Sequence, residues 1–441
     1  MELRDLVVTP IVIVLILATA YFIRPLVTDR TTRRYFFSGL LVKVMGAIAL
    51  GCIYQFYYSG GDTYNFHTHG SRHIWNAFFD SPSVGLQLLF GSNDSHTGVY
   101  EYSRRIVFFE DDSSYFVIRV AAFFDLFTFS SYSATAILFS TVAFVGAWCL
   151  FLTFYKQYPS AHFGLALACL FVPSVFFWGS GVLKDTLVLA ALGVATYAIY
   201  QFFMEHRNQM AALVLILLSF YVIFSIKKFV LQAYLPAASV WLLFHWFARV
   251  RSSVLRTLLV PFVVVIIAAG GYFSVSKVGE GDQKYSLDKI AQTAAVTAYD
   301  IRFWTGREAG SGYTLGELDG TMASMIRLAP AAINVTLFRP YLWEVKNPLM
   351  LLSALESLMF LGLLIYVVLS SKQLIKKVVD KNVLFAIVFS LIFAFAVGVS
   401  TFNFGTLSRY KIPLVPFYAV ALVLLSQSKS EKKFSELDLT E

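Results

Sequence analysis

Apolar runs of about twenty residues recur along the chain, separated by short polar segments. A helix needs roughly 20 apolar residues to cross the hydrocarbon of a bilayer. By that measure the pattern predicts about eleven spans, at 6–24, 36–58, 132–154, 161–178, 186–203, 209–226, 229–247, 256–273, 349–369, 382–400 and 412–427. The fold class read from this pattern is all-α, a polytopic membrane protein with one transmembrane domain over 1–427. Two long segments remain, 59–131 and 274–348. Within the first, 115–129 is too short to span comfortably and carries Arg119 and Asp125. It predicts a helix lying on or dipping into the interface, and 71–90 predicts a second. Residues 428–441 are polar and charged and predict a disordered tail.

Composition supports the membrane assignment. The chain is 58% hydrophobic and 14% charged, with mean hydropathy +0.67, whereas soluble domains carry about 25% charged residues. Its 43 Phe and 24 Tyr supply side chains for interfacial belts. The net charge of +8 fits cytoplasmic loop bias and attraction to lipid headgroups, and it does not call for nucleic acid. Cys52, Cys149 and Cys169 all lie in apolar runs and suggest neither disulfides nor a metal cluster. The first apolar run has no small-residue cleavage site after it, so it is expected to be retained as a span.

Arginine and lysine set the expected orientation. Arg24, Arg30, Arg33, Arg34, Lys156, Arg207, Arg249, Arg251, Arg256, Lys372, Lys376, Lys377, Lys381, Lys429, Lys432 and Lys433 all fall on one side of an eleven-span arrangement. That side is expected to be cytoplasmic, in an inner membrane, with the N-terminus outside and the C-terminus inside. Lys227 and Lys228 sit in a tight outer hairpin and oppose this assignment.

The outer segments hold the candidate chemistry. Asp62 follows the second apolar run in "YYSGGDTYNFHTHGSRHIW", beside Tyr64 as a possible substrate-lining residue. It is either a solvated end to a span or a reactive carboxylate. Glu110, Asp111 and Asp112 form an acidic trio in which mutual repulsion is expected to raise the carboxyl pKa values. The trio suits a general base or a divalent cation. It equally suits the charged start of a helix at Ser113 or Ser114. His67, His69 and His73, with Asp62, have a spacing that could hold zinc. Lys184 follows Gly179, Ser180 and Gly181 and either binds a phosphate or is neutralised by Asp185 in the same turn. Arg409 and Lys411 lie at the outer end of the final span, where Arg409 can fork onto phosphate and Tyr410 can anchor at headgroup level. Snorkelling to ordinary lipid phosphates is the alternative. Arg339, Trp343 and Glu344 lie in a proline-bent stretch that reads as a pocket lining or an interfacial anchor.

The order of these features resembles the GT-C superfamily of membrane glycosyltransferases, of the bacterial surface-polysaccharide type. The resemblance rests on an aspartate just past an early span, in a large outer loop with two surface helices at 71–90 and 115–129. It rests also on the stretches "FFWGSGVLKD" and "LSRYKIPLVPF". It covers most of the chain in layout but only short motifs in sequence. The extra N-terminal span departs from the pattern, and the lack of a soluble C-terminal domain argues against an oligosaccharyltransferase. The resemblance implies transfer of a sugar from a polyprenyl phosphate or diphosphate to a glycan, lipid or protein acceptor at the outer face. Asp62 would be the base, with Lys184, Arg409, Lys411 and Arg339 on the lipid phosphate, and with either no cofactor or a divalent cation. A nucleotide-sugar donor does not suit a site that faces outward. A surface-polysaccharide polymerase or ligase would use the same outer cations. A transporter would place its charges at a midplane cavity, with Glu356 the clearest deep acid. A purely structural membrane component is the remaining class.

Overall fold

The computed structural model describes residues 2–427, apart from 95–97, 248, 250–268, 274–275, 281, 283, 287–288, 304–309 and 372. Most of the expected span 256–273 and all of the expected tail 428–441 lie outside the described residues. The chain is an all-α polytopic membrane protein. Among the described residues eight helices are long and apolar enough to cross a membrane, or nine if one bent pair is a single span.

The early helices are α1 (Leu3–Val27), α2 (Arg33–Phe56), α3 (Asp62–Phe66), α4 (Arg72–Asp80), α5 (Pro82–Phe90), α6 (Tyr100–Ser103) and α7 (Asp112–Thr128). A π-turn, His67–Ser71, joins α3 to α4. The two expected surface segments are therefore helical, with 71–90 divided at Ser81. Next come α8 (Tyr132–Tyr155), α9 (His162–Ala166), α10 (Pro173–Trp178), α11 (Lys184–Ile199), α12 (Gln209–Ile226) and α13 (Lys228–Phe247).

The expected span 161–178 is a broken series rather than one helix. A π-turn, Leu167–Phe171, ends at Val172, whose ψ is 125°, and α10 starts at Pro173. Proline cannot donate a backbone hydrogen bond, and it pushes the preceding residue out of the helical region.

The later helices are α14 (Ile290–Ile301), α15 (Met322–Arg327), α16 (Ala329–Phe338), α17 (Pro348–Ser370), α18 (Leu374–Val378), α19 (Lys381–Ser400), α20 (Phe404–Tyr410) and α21 (Val415–Ser426). The last two form the bent pair, at 70°. Pro416 sits in the first turn of α21, the position where a missing N–H costs nothing.

The chain divides into two compact units. The first comprises Met1–Phe151, Val175–Ala198 and Leu213–Lys227. Within it, small residues let helices approach closely. A Cβ built on Gly193 would lie 2.0 Å from the Gly146 carbonyl oxygen, and one on Gly146 would lie 2.4 Å from Ala190 Cα. Close backbone approach of this kind drives helix packing where lipid removes the usual hydrophobic advantage. The second unit comprises Leu152–Ser174, Ile199–Ala212 and Lys228–Glu441. There α19 packs against α13, α16 and α21. Trp241 stacks on Phe385 with ring centroids 4.5 Å apart, and its indole donates to Asn382 at 2.7 Å.

Candidate functional site

In the first unit, α2 ends in a turn that places Asp62. Ser59, Gly60 and Gly61 all have positive φ, at 57°, 135° and 122°. Glycine adopts such values without the clash of a Cβ. Asp62 opens α3, where a carboxylate suits the positive end of a helix. The next two residues fix this helix. Thr63 hydrogen-bonds Tyr132 at 2.8 Å in a buried contact. Tyr64 donates to the Gly51 carbonyl and to Gln55, each at 3.2 Å, and stacks on Tyr132 at 4.4 Å. A Cβ on Gly51 would come within 2.7 Å of the Tyr132 ring.

A buried polar knot holds the segment that follows. Asp125 is fully buried and accepts from Ser71 at 2.6 Å and from Thr135 at 2.7 Å. His67 Nε2 lies 3.3 Å from the same carboxylate, with both side chains inaccessible to solvent. The knot ties the π-turn to α7 and α8. Arg119 caps the end of α5 through the carbonyls of Leu88 and Gly91 and lies over the Tyr115 ring at 4.5 Å. Nothing in the sequence pattern marks Asp125 as the centre of this network except an acid within an apolar stretch.

The candidate site lies where α7 and α11 begin. Lys184 Nζ donates to Ser113 at 2.7 Å and pairs with Asp111 at 3.2 Å. The charges of Lys227 and, more weakly, Asp62 add to its electrostatic surroundings. Asp111 accepts from the hydroxyls of Ser113 and Ser114. Burial pushes the Asp111 carboxyl up, but the Ser114 hydroxyl and the Lys184 ammonium outweigh it and hold the pKa down at about 2. The expected rise for the acidic trio therefore fails at Asp111, because donors meet it rather than its neighbours' charges. Asp112 begins α7 and accepts from Asn93 at 2.5 Å, while Glu110 is exposed. The trio's helix-start role is thus visible.

Lys184 pairs with Asp111, and the neighbouring Asp185 has a partner of its own. It is 1% exposed and pairs with Lys227, itself buried. The hairpin lysine that opposed the charge rule thus has an acid partner, as Lys228 has in Asp282 within the second unit.

Sequence reasoning passed over Lys43. It is 1% exposed inside α2 and donates to the carbonyls of Val175 at 3.0 Å and Gly179 at 2.9 Å. A lone lysine midway along an apolar run was the available signal.

The histidines do not assemble into a metal site. Among the described residues no three His, Cys, Asp or Glu side chains gather to hold an ion. His67 is in the buried knot and His69 is exposed. His73 helps line a cavity of about 340 Å³ with Trp75, Asn76, Phe79, Asp80, Glu101, Tyr102 and Arg105.

In the second unit the expected phosphate ligands have internal partners. Arg339 forks onto Glu344, its Nε at 3.1 and 3.0 Å from the two carboxylate oxygens. The guanidinium lies 5.6, 5.9 and 5.3 Å from the rings of Tyr313, Tyr341 and Phe404. Lys411 is 2% exposed and donates to Ser357 at 3.2 Å. Arg339 and Lys411 thus make internal ties in this structure. Arg409 lies over the Tyr410 ring at 5.2 Å, and Trp343 is 82% exposed, stacked on Tyr341. No protein-family model, curated protein or solved structure matches this chain.

Proposed function

We propose that the protein is a membrane glycosyltransferase of the GT-C kind, moving a sugar from a polyprenyl phosphate or diphosphate to an acceptor at the outer face of the inner membrane. The observation that carries this reading is Lys184 held by Asp111 and Ser113 at the start of α11, in the same unit as Asp62, whose charge is among the weaker ones acting on it. A base and a cation in the same unit serve the two charges of the reaction. The acceptor hydroxyl attacks the anomeric carbon and its proton passes to the Asp62 carboxylate. The bond from that carbon to the phosphate oxygen breaks, and the leaving phosphate keeps the electron pair. Lys184 stabilises it, sharing its ammonium with Asp111 and Ser113. The leaving group is already a phosphate, so no strong acid is required, and the reaction runs either without a cofactor or with a divalent cation on the phosphate. Arg409 and Tyr410 keep their expected role at headgroup level. Eleven spans, with the N-terminus outside and the C-terminus cytoplasmic, belong to the same proposal.

Asp62→Asn tests it, because the amide keeps the size and cannot accept the proton. The variant should fold and bind donor lipid yet lose about 10²-fold or more in transfer rate, the scale of general base catalysis. Near-normal transfer with a defined donor and acceptor would refute the mechanism. Polymerisation or ligation of a surface polysaccharide is the alternative enzyme reading, in which the outer cations act on a lipid diphosphate and Asp62 need not be a base. Transport is supported by a different observation. Glu356 is 7% exposed, accepts from the Ser174 amide at 2.9 Å and interacts with Lys411 at the bend between α20 and α21. Broken helices with buried charges are the usual setting of transporter sites. Flux into liposomes that is lost in Glu356→Gln but kept in Asp62→Asn would favour that reading.

A further inference from the structure

The end of α10 and the turn that follows it, 179–183, lie against the middle of α2. Lys43 is ten residues beyond Arg33 in this 24-residue helix, or about 15 Å along its axis at about 1.5 Å per residue. Lys43, Gly46 and Leu50 lie on one face of α2, spaced i, i+3 and i+7. Each of them meets the chain between Val175 and Gly181. Lys43 holds the carbonyls of Val175 and Gly179. A Cβ on Gly46 would be 2.1 Å from the Phe176 carbonyl oxygen, and one on Gly181 would be 2.5 Å from Leu50. The face of α2 is moulded to this stretch.

Carbonyls that leave a helix at membrane depth are costly unless protein groups satisfy them. Here local hydroxyls satisfy two, with Ser180 donating to Phe176 and Thr186 to Gly181. Lys43 serves the carbonyls at the end of α10, where the helix dipole favours a cation. A buried lysine in a span is itself expensive, and here its ammonium is met by two carbonyls at the helix end. Five residues beyond Gly179 the chain reaches Lys184, the cation beside Asp111 and Ser113.

We propose that Lys43 is a positioning residue: its ammonium pins the C-terminal end of α10 inside the membrane and thereby fixes Lys184 against Asp111 and Ser113. The functional weight of this inference rests on the phosphate role given to Lys184. Its test needs no donor lipid, so the two readings fail separately.

The test follows acylation of Lys184 by an amine-reactive reagent in the purified full-length protein, site by site, by mass spectrometry. Lys156, paired with Glu205 at 2.9 Å, is the internal control. In the wild type, Asp111→Asn should raise Lys184 acylation. Lys43→Met should raise it about tenfold, the factor that about 1.4 kcal/mol of lost anchoring gives, with Lys156 unchanged. In the Lys43→Met background Asp111→Asn should then add little, because the pair is already undone. Lys43→Gln, which keeps two donors, should recover part of the protection. If Lys43→Met does not fold, Gly46→Ala displaces the same helix end with Lys43 in place and should unprotect Lys184 alone. Wild-type protection of Lys184 in Lys43→Met, or in Gly46→Ala where that variant stands in, overturns the proposal. So does an equal rise at Lys156.

Discussion

At the scale of single residues the charges in the first unit are organised by donors brought from far along the chain. Asp111 shows the consequence for pH. Its folded pKa of about 2 lies below the ordinary 3.8, so the folded state favours the ionised form. The stability it contributes is complete above about pH 4 and is lost as pH falls through 2. Asp111→Asn should therefore melt below the wild type at neutral pH, and the gap should close toward pH 2. A gap that stays constant down to pH 2, followed by thermal melts in detergent, would contradict the assignment. Arg339 makes a second case, because its flat fork serves Glu344 and three rings together. Lys keeps the charge but not the fork or the stacking. Arg339→Lys should cost about 1.5–3 kcal/mol, the range for hydrogen bonds to charged groups, and Tm with and without Glu344→Gln would measure it as a cycle. Of the candidate site, Asp62 and Lys184 were legible because a charge at the end of an apolar run stands out. Their partners were not, since Asp111 is 73 residues from Lys184 and Lys227 is 42 from Asp185. Pairings over such distances leave no local pattern.

At the scale of helices, apolar length is a reliable guide until backbone chemistry intervenes. Runs 36–58, 132–154, 209–226, 229–247, 349–369 and 382–400 each correspond to one long helix. Run 161–178 does not, because Pro173 lies inside it and hydropathy does not register a missing amide hydrogen. The same holds at 412–427, where the helix proper starts only at Val415. Glycine carries information that hydropathy also omits. Gly146 and Gly193 face each other across α8 and α11 with no room for a Cβ. Gly193→Val should force these helices apart and destabilise the fold by about 1–3 kcal/mol, the usual cost of overpacking. An unchanged Tm would show that the crossing can open without penalty.

At the scale of the whole molecule, orientation depends on where the positive charges fall and on which of them an acid neutralises. The basic residues at Arg30, Arg33, Arg34, Lys376 and Lys377 lie in short connections or next to them, and excess Lys and Arg in such connections marks the cytoplasmic side. Lys227 and Lys228 would count against that orientation if they were unneutralised. Asp185 and Asp282 pair with them, which removes much of their pull toward the inside. Single cysteines in a background lacking Cys52, Cys149 and Cys169 can decide the matter. Arg30 and Gln373 are exposed beside α2 and α18, and Ser83 is exposed near the start of α5. In intact cells an impermeant thiol reagent should label Ser83→Cys and leave Arg30→Cys and Gln373→Cys unmodified until the membrane is opened. The mutual arrangement matters more than any one site, since an inverted protein would exchange the two results. Labelling of Arg30→Cys and Gln373→Cys in intact cells, with Ser83→Cys protected, would place Asp62 and Lys184 on the cytoplasmic side. The donor would then have to be met there, and a nucleotide-linked sugar would replace the outward-facing polyprenyl phosphate as the expected substrate.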